Sequence, residues 1–223
     1  MPSPTLSVPR PRKRTTEARR GPLVAAGLVV AAALGVAAWW VRRPAPLPVL
    51  GTVPAFALTE RSGAPVTAAT LAGHVWIADF VFTRCPDFCP ALTSRMAALQ
   101  RRLASGDDPV RLVSFSVDPA NDTPAVLQEY ATRAGAGSAW LFATGPRPTL
   151  AALLRDGFKV AWADDGPPTS PITHSDRFVL VDRALRIRGY YHGVDPADVD
   201  RLARDALALR DGRTSTPPPT PGD

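Results

Sequence analysis

The chain carries two cysteines, Cys85 and Cys89, and three histidines, His74, His174 and His192. The cysteines stand four apart in FVFTRCPDFCPALTSRM (80–96), where an apolar strand ending near Thr83 gives way to a helix beginning near Cys89. If the turn is helical, both side chains share a face. Four residues of helix rise about 6 Å, within the separation a disulfide tolerates. The pair can therefore be two thiols or one bond. A helix N-terminus favours thiolate, and Arg84 adds positive charge. Thiolate is the form that binds soft metals and attacks disulfides. A permanent disulfide around so small a loop would add little stability. Two cysteines are also too few for a disulfide scaffold, so the spacing points to chemistry.

His174 follows ADDGPPTSPIT (163–173), a loop rich in Pro, Gly and polar residues, where functional groups are often displayed. On its residues alone it reads more readily as a solvated loop histidine than as a ligand. His74 and His192 read as surface turn residues. Asp118, in SVDP, lies at the C-terminal end of a predicted central strand, where the sites of open α/β sheets gather. It could tune thiol acidity, support a docking partner, or be an ordinary turn acid before Pro119. Asp122 and Thr123 before Pro124 read as helix caps. Asp87 is a hard oxygen donor, unsuited to a soft metal. The chain shows no phosphate loop and no Ser-His-Asp pattern.

The elements that would position these residues alternate. HVWIADFVF (74–82) is a continuous apolar run of the kind a buried strand needs. Leu92, Met96, Leu99 and Leu103 recur at helical spacing over 89–104. RLVSFSV (111–117) predicts a second buried strand, followed by a helix from Pro124 to about Arg133. A short strand near 139–143 and a helix near 148–156 come next. RFVLVD (177–182) and LRIRGYY (185–191) predict a hairpin, and Asp195–Pro196 opens a last helix to about Arg210. This order predicts an α/β domain of thioredoxin-like fold over 51–211. It is preceded by a basic disordered segment (1–21), a single transmembrane helix (22–43) and a Pro-rich spacer (44–50), and followed by a disordered Pro-rich tail (212–223).

The net charge is +6, but residues 1–43 carry eight Lys or Arg against Glu17, a balance of +7, which leaves −1 for the remainder. The basicity thus belongs to the N-terminal segment, and a nucleic-acid surface on the domain is not expected. From Leu23 to Val41 the chain runs 19 residues without a charge and ends at Trp39–Trp40. A helix of that length spans about 28 Å, close to a bilayer's hydrocarbon thickness. Six basic residues precede it and two follow, so the N-terminus is expected in the cytoplasm and the domain outside it. A cleavable signal peptide, whose apolar region is usually shorter, would export the domain as well.

TRCPDFCP after an apolar strand, SVDPANDTP (116–124), THS (173–175) and the opening GTVPAFALTERSGAPVT (51–67) together resemble the Sco/SenC family. The resemblance covers about 50–210 and implies a thioredoxin-fold copper protein that helps assemble the dinuclear copper centre of cytochrome c oxidase. It implies copper ligation by Cys85, Cys89 and His174, a soft set suited to Cu(I), with Cu(II) left open. The implied partners are the copper-bearing oxidase subunit, a copper donor and a thiol reductant. The family commonly has Asp before that histidine; Thr173 stands here, which leaves open what orients the ring. The implied role is delivery without turnover, so an enzyme is not the first expectation. A thiol-disulfide oxidoreductase using Cys85 and Cys89 as a redox-active pair is the alternative, and a thiol peroxidase a weaker third. The implied location is the inner (plasma) membrane, with the domain facing the periplasm or extracytoplasmic space.

Overall fold

The structure, a computed structural model, describes residues 28–29, 31–35, 46–85, 89–106, 108–163 and 172–213. Residues 1–43 and 44–223 form separate compact units. In the first, Leu28, Val29 and residues 31–35 are helical. The expected basic segment, most of the anchor and the tail beyond Arg213 lie outside the described residues. Among the described residues no helix is long and apolar enough to cross a membrane.

The second unit is mixed α/β. It opens with β1 (Gly51–Thr52), β2 (Ala57–Glu60), β3 (Pro65–Thr67) and a one-turn helix α1 (Ala68–Leu71). Then follow β4 (Trp76–Val81), α2 (Cys89–Leu103), β5 (Arg111–Ser116), α3 (Pro124–Arg133), β6 (Trp140–Thr144) and α4 (Arg147–Ala152). The chain closes with β7 (Trp162–Ala163), β8 (Thr173–His174), β9 (Arg177–Val181), β10 (Arg186–His192) and α5 (Pro196–Arg210). The main sheet has the order β1-β10-β9-β4-β5-β6-β2-β3. Within it β4 and β5, and β5 and β6, run parallel, while β9 lies antiparallel against β4. This arrangement is consistent with the thioredoxin-like expectation. The strands β1 to β3 were not anticipated.

Every residue of β4 is buried, as its apolar run requires for a central strand covered on both faces. Trp76, Ala78 and Phe80 join Phe115, Phe158 and Val179 on one face. Ile77 faces the other, where Leu92, Met96, Leu99 and Leu103 of α2 meet Leu202 and Ala206 of α5. The helical periodicity of α2 thus becomes its contact with the sheet. Thr123 caps α3 by accepting from the Val126 amide, and Asp195 caps α5 by accepting from the Ala197 amide.

Residues 46–50, which belong to the expected Pro-rich spacer (44–50), are fastened to the domain. The guanidinium of Arg188, 1 % exposed, donates to the carbonyls of Leu47 and Pro48 and to Asp182. Leu50 then donates its amide to Ile187. A buried guanidinium needs its donors filled, and a strap of backbone carbonyls does so without adding charge.

Candidate metal centre

β4 ends at Val81, and the chain turns over Phe82–Cys85, closed by the Cys85 amide donating to the Phe82 carbonyl at 3.2 Å. Cys89 opens α2, whose N-terminal end therefore stands over the C-terminal edge of β4 and β5. His174 reaches the same place from a distant part of the chain. It lies on β8, which pairs antiparallel with β7, Trp162 opposite His174 and Ala163 opposite Thr173. The strand pairing corrects the expectation of a solvated loop histidine: Thr173 points out and His174 points in.

The sulfurs of Cys85 and Cys89 and a ring nitrogen of His174 all lie within 4.8 Å of one another. Both cysteines are free, and the three residues are 8 %, 1 % and 6 % exposed respectively. His174 Nε2 stands 3.4 Å from Cys89 Sγ, and Nδ1 stands 3.1 Å from the Ser175 carbonyl. A carbonyl only accepts, so Nδ1 carries the proton and Nε2 presents its lone pair to the thiols. The Phe82 ring meets the imidazole edge-on, centroids 5.6 Å apart. Thus a backbone carbonyl helps to orient the ring, with the Phe82 ring against it.

Burial sets the protonation states. It pushes the His174 pKa down, against the opposing pull of the Ser175 carbonyl, and favours the neutral imidazole that metals bind. Burial also pushes the Cys89 thiol well up, and its hydrogen bond with Cys85 adds to the rise. This reverses the expectation that the helix N-terminus would leave Cys89 as a thiolate. The positive charge of Arg84 is also directed elsewhere, at 2.8 Å from Asp118 Oδ2. A thiol of raised pKa yields its proton when a metal takes its place, so metal binding at Cys89 should release a proton. Three donors about 2.0–2.3 Å from a shared centre stand roughly 3.5–4 Å apart. The Cys89–His174 separation of 3.4 Å already matches this spacing and no pair in the set exceeds 4.8 Å, so the residues fit a three-coordinate soft metal with at most a small contraction.

Asp118 is buried beside this site but is not in the ligand group. It holds Arg84 and the amide of the Asn121 side chain. Asp122 is fully buried and does not cap α3. It accepts from the Thr83 hydroxyl at 2.6 Å and the Ser116 hydroxyl at 2.7 Å, and burial outweighs these bonds to raise its pKa. Asp87 lies outside the described residues. His74 binds Asp108 at 2.8 Å and His192 binds Asp176 at 2.9 Å, and neither belongs to the group around the cysteines.

One buried acid escaped the sequence reading altogether. Asp79, inside the apolar run of β4, has no exposure and accepts from the Ser114 hydroxyl at 2.5 Å. Its second oxygen has no partner among the described residues, and burial pushes its pKa up to about 7. An acid in the middle of an apolar strand was the available signal.

A mixed α/β domain that gathers two free thiols and a neutral imidazole at one sheet edge defines a thiol and soft-metal protein. Comparison carries this further. The SCO1/SenC family model matches residues 48–207. The SCO1 protein homolog of Bacillus subtilis is 32 % identical over 152 residues, covering 67 % of this chain and 78 % of that protein. The solved structure of BsSco, a member of the Sco family of cytochrome c oxidase assembly proteins in which a disulfide switch was identified, has TM-score 0.65 and 31 % identity. It covers 73 % of this chain and 95 % of its own. ScoI of Bradyrhizobium japonicum, solved with copper bound, has TM-score 0.60 at 22 % identity, covers 71 % of this chain and 99 % of its own, and shares the fold. The chain belongs to the SCO1/SenC family.

Proposed function

We propose that this protein is a copper chaperone that binds copper through Cys85, Cys89 and His174 and delivers it to the dinuclear copper centre of cytochrome c oxidase. The observation that carries the reading is the convergence of three buried soft donors from three separate elements within 4.8 Å. A scaffold has no use for two unbonded thiols and an inward imidazole held in one tautomer. Two sulfurs and one nitrogen suit Cu(I). Family membership and the copper-bound ScoI support copper as the metal, and the Sco family's link to oxidase assembly supports the recipient. The 19-residue apolar stretch 23–41 and its basic flank support an anchor that leaves the domain on the extracytoplasmic side. Copper donor and reductant are further partners under this reading.

The paired free cysteines favour one second reading, thiol-disulfide exchange with exported proteins, which needs no imidazole. His174→Ala separates the two. Under the chaperone reading the variant binds Cu(I) at least tenfold more weakly and fails to support oxidase activity in copper-limited cells, while its disulfide exchange rate is unchanged. Unaltered copper affinity and unaltered oxidase activity in the same variant would leave the oxidoreductase.

A further inference from the structure

The turn that delivers Cys85 is held at both of its central residues by carboxylates from a single loop. Asp122 grips Thr83 twice, accepting from its hydroxyl at 2.6 Å and from its amide at 3.3 Å. Asp118 grips Arg84 at 2.8 Å. The loop braces itself in turn: the Asn121 side chain donates to Asp118 at 2.9 Å, and the Ser116 hydroxyl accepts from the Asp118 amide at 3.0 Å and donates to Asp122. Thr123 performs the capping of α3, so a cap does not account for a fully buried Asp122. Removing a carboxylate from water is costly unless its lone pairs are filled, and three donors from Thr83 and Ser116 fill them.

We propose that Asp122 is the positioning residue of Cys85: by holding Thr83 it fixes where the Cys85 sulfur stands relative to Cys89 and His174. The proposal rests on the reading that Cys85 and Cys89 work as a dithiol pair. A held sulfur has a high effective concentration at its partner, which favours both bond formation and metal capture. Released from Asp122, Cys85 samples more positions and both equilibria weaken.

The test equilibrates the full chain, metal-free, with glutathione buffers. Cys85 and Cys89 give up two electrons and two protons to form one S–S bond; oxidised glutathione takes them and splits into two molecules of reduced glutathione. Asp122→Ala and Thr83→Val, which remove the acceptor and the hydroxyl donor, lower this equilibrium constant tenfold or more, about 30 mV for a two-electron couple. Thr83→Ser keeps the hydroxyl and stays within twofold of the wild type. A change that merely weakens the fold moves the urea midpoint without this dependence on the hydroxyl, and the Thr83 pair decides the matter where Asp122→Ala does not fold. The proposal is overturned if Thr83→Val or a folded Asp122→Ala keeps the wild-type constant, or if Thr83→Ser falls as far as Thr83→Val. A wild-type chain that forms no intramolecular disulfide removes the dithiol reading, and the proposal with it.

Discussion

Asp79 places a fully buried carboxyl group where one hydroxyl, that of Ser114, meets it. Its folded pKa of about 7 lies above the ordinary 3.8 because burial penalises the anion. Between those values the folded chain holds a proton that the unfolded chain has lost. Stability should therefore fall as pH rises from about 4 to about 7 and level off above it. Asp79→Asn keeps an acceptor for Ser114 without the titration. Its urea midpoint in the reduced, metal-free state should match the wild type near pH 4. By pH 8 it should be the higher of the two, an unfolding free energy greater by on the order of a few kcal/mol. Parallel pH profiles for the two proteins would show that Asp79 ionises in the fold as readily as in the unfolded chain. At the same scale, a thiol buried as deeply as Cys89 should react with iodoacetamide far more slowly than a free thiol, until urea exposes it.

The elements meet tightly where β10 hands over to α5. A methyl group placed on Gly193 would stand 2.6 Å from Leu92 Cδ2 and 2.8 Å from the Phe178 ring, both in the core beneath α2. Gly193→Ala should cost about 1–3 kcal/mol, read as a lowered urea midpoint, because neither neighbour has room to move. Nothing in the pattern around Gly193 announces this contact, whereas other elements were plain in the sequence. Helix α5 could be read from Asp195–Pro196 and its apolar stripe, and β4 from its unbroken run, because local chemistry decides both. β1 to β3 are two to four residues long: β1 and β2 lean on distant partners, Gly51 opposite Ile187 and Thr59 opposite Thr144, and β3 pairs with β2 in a hairpin too short to show a pattern. β8 is equally silent: Thr173–His174 becomes a strand because Trp162–Ala163 lies beside it. Asp122 looked like a cap because Asp-Thr-Pro opens many helices; its real partners, Thr83 and Ser116, are set by how β4 and β5 align. Of the ligand group, the cysteine spacing was visible locally. The histidine's membership came from family resemblance, since tertiary folding alone brings it near.

For the molecule as a whole, metal should act as a ligand of the folded state. Under the proposed function, Cu(I) raises the melting temperature of the reduced chain in proportion to the logarithm of its free concentration, and has little effect on the oxidised chain. A stabilisation that survives oxidation would place the metal away from the two sulfurs. The strap along β10 makes a second demand. Arg188→Met leaves the Leu47 and Pro48 carbonyls without their donor and should cost about 2–3 kcal/mol in urea, with copper affinity unchanged. The strap also fixes the path of force through the domain. Ile187, beside Arg188, is in register with Val181, and Val181 with Trp76 at the start of β4, whereas the Cys85 turn follows the end of β4. Chain attachment and ligands thus sit at opposite edges of the sheet, about 17 Å of strand apart. A pull on the chain before Leu47 is borne by a buried guanidinium and the outermost strands as a peeling load. The turn that carries Cys85 lies off that line, so such a load leaves the spacing of its donor atoms the same.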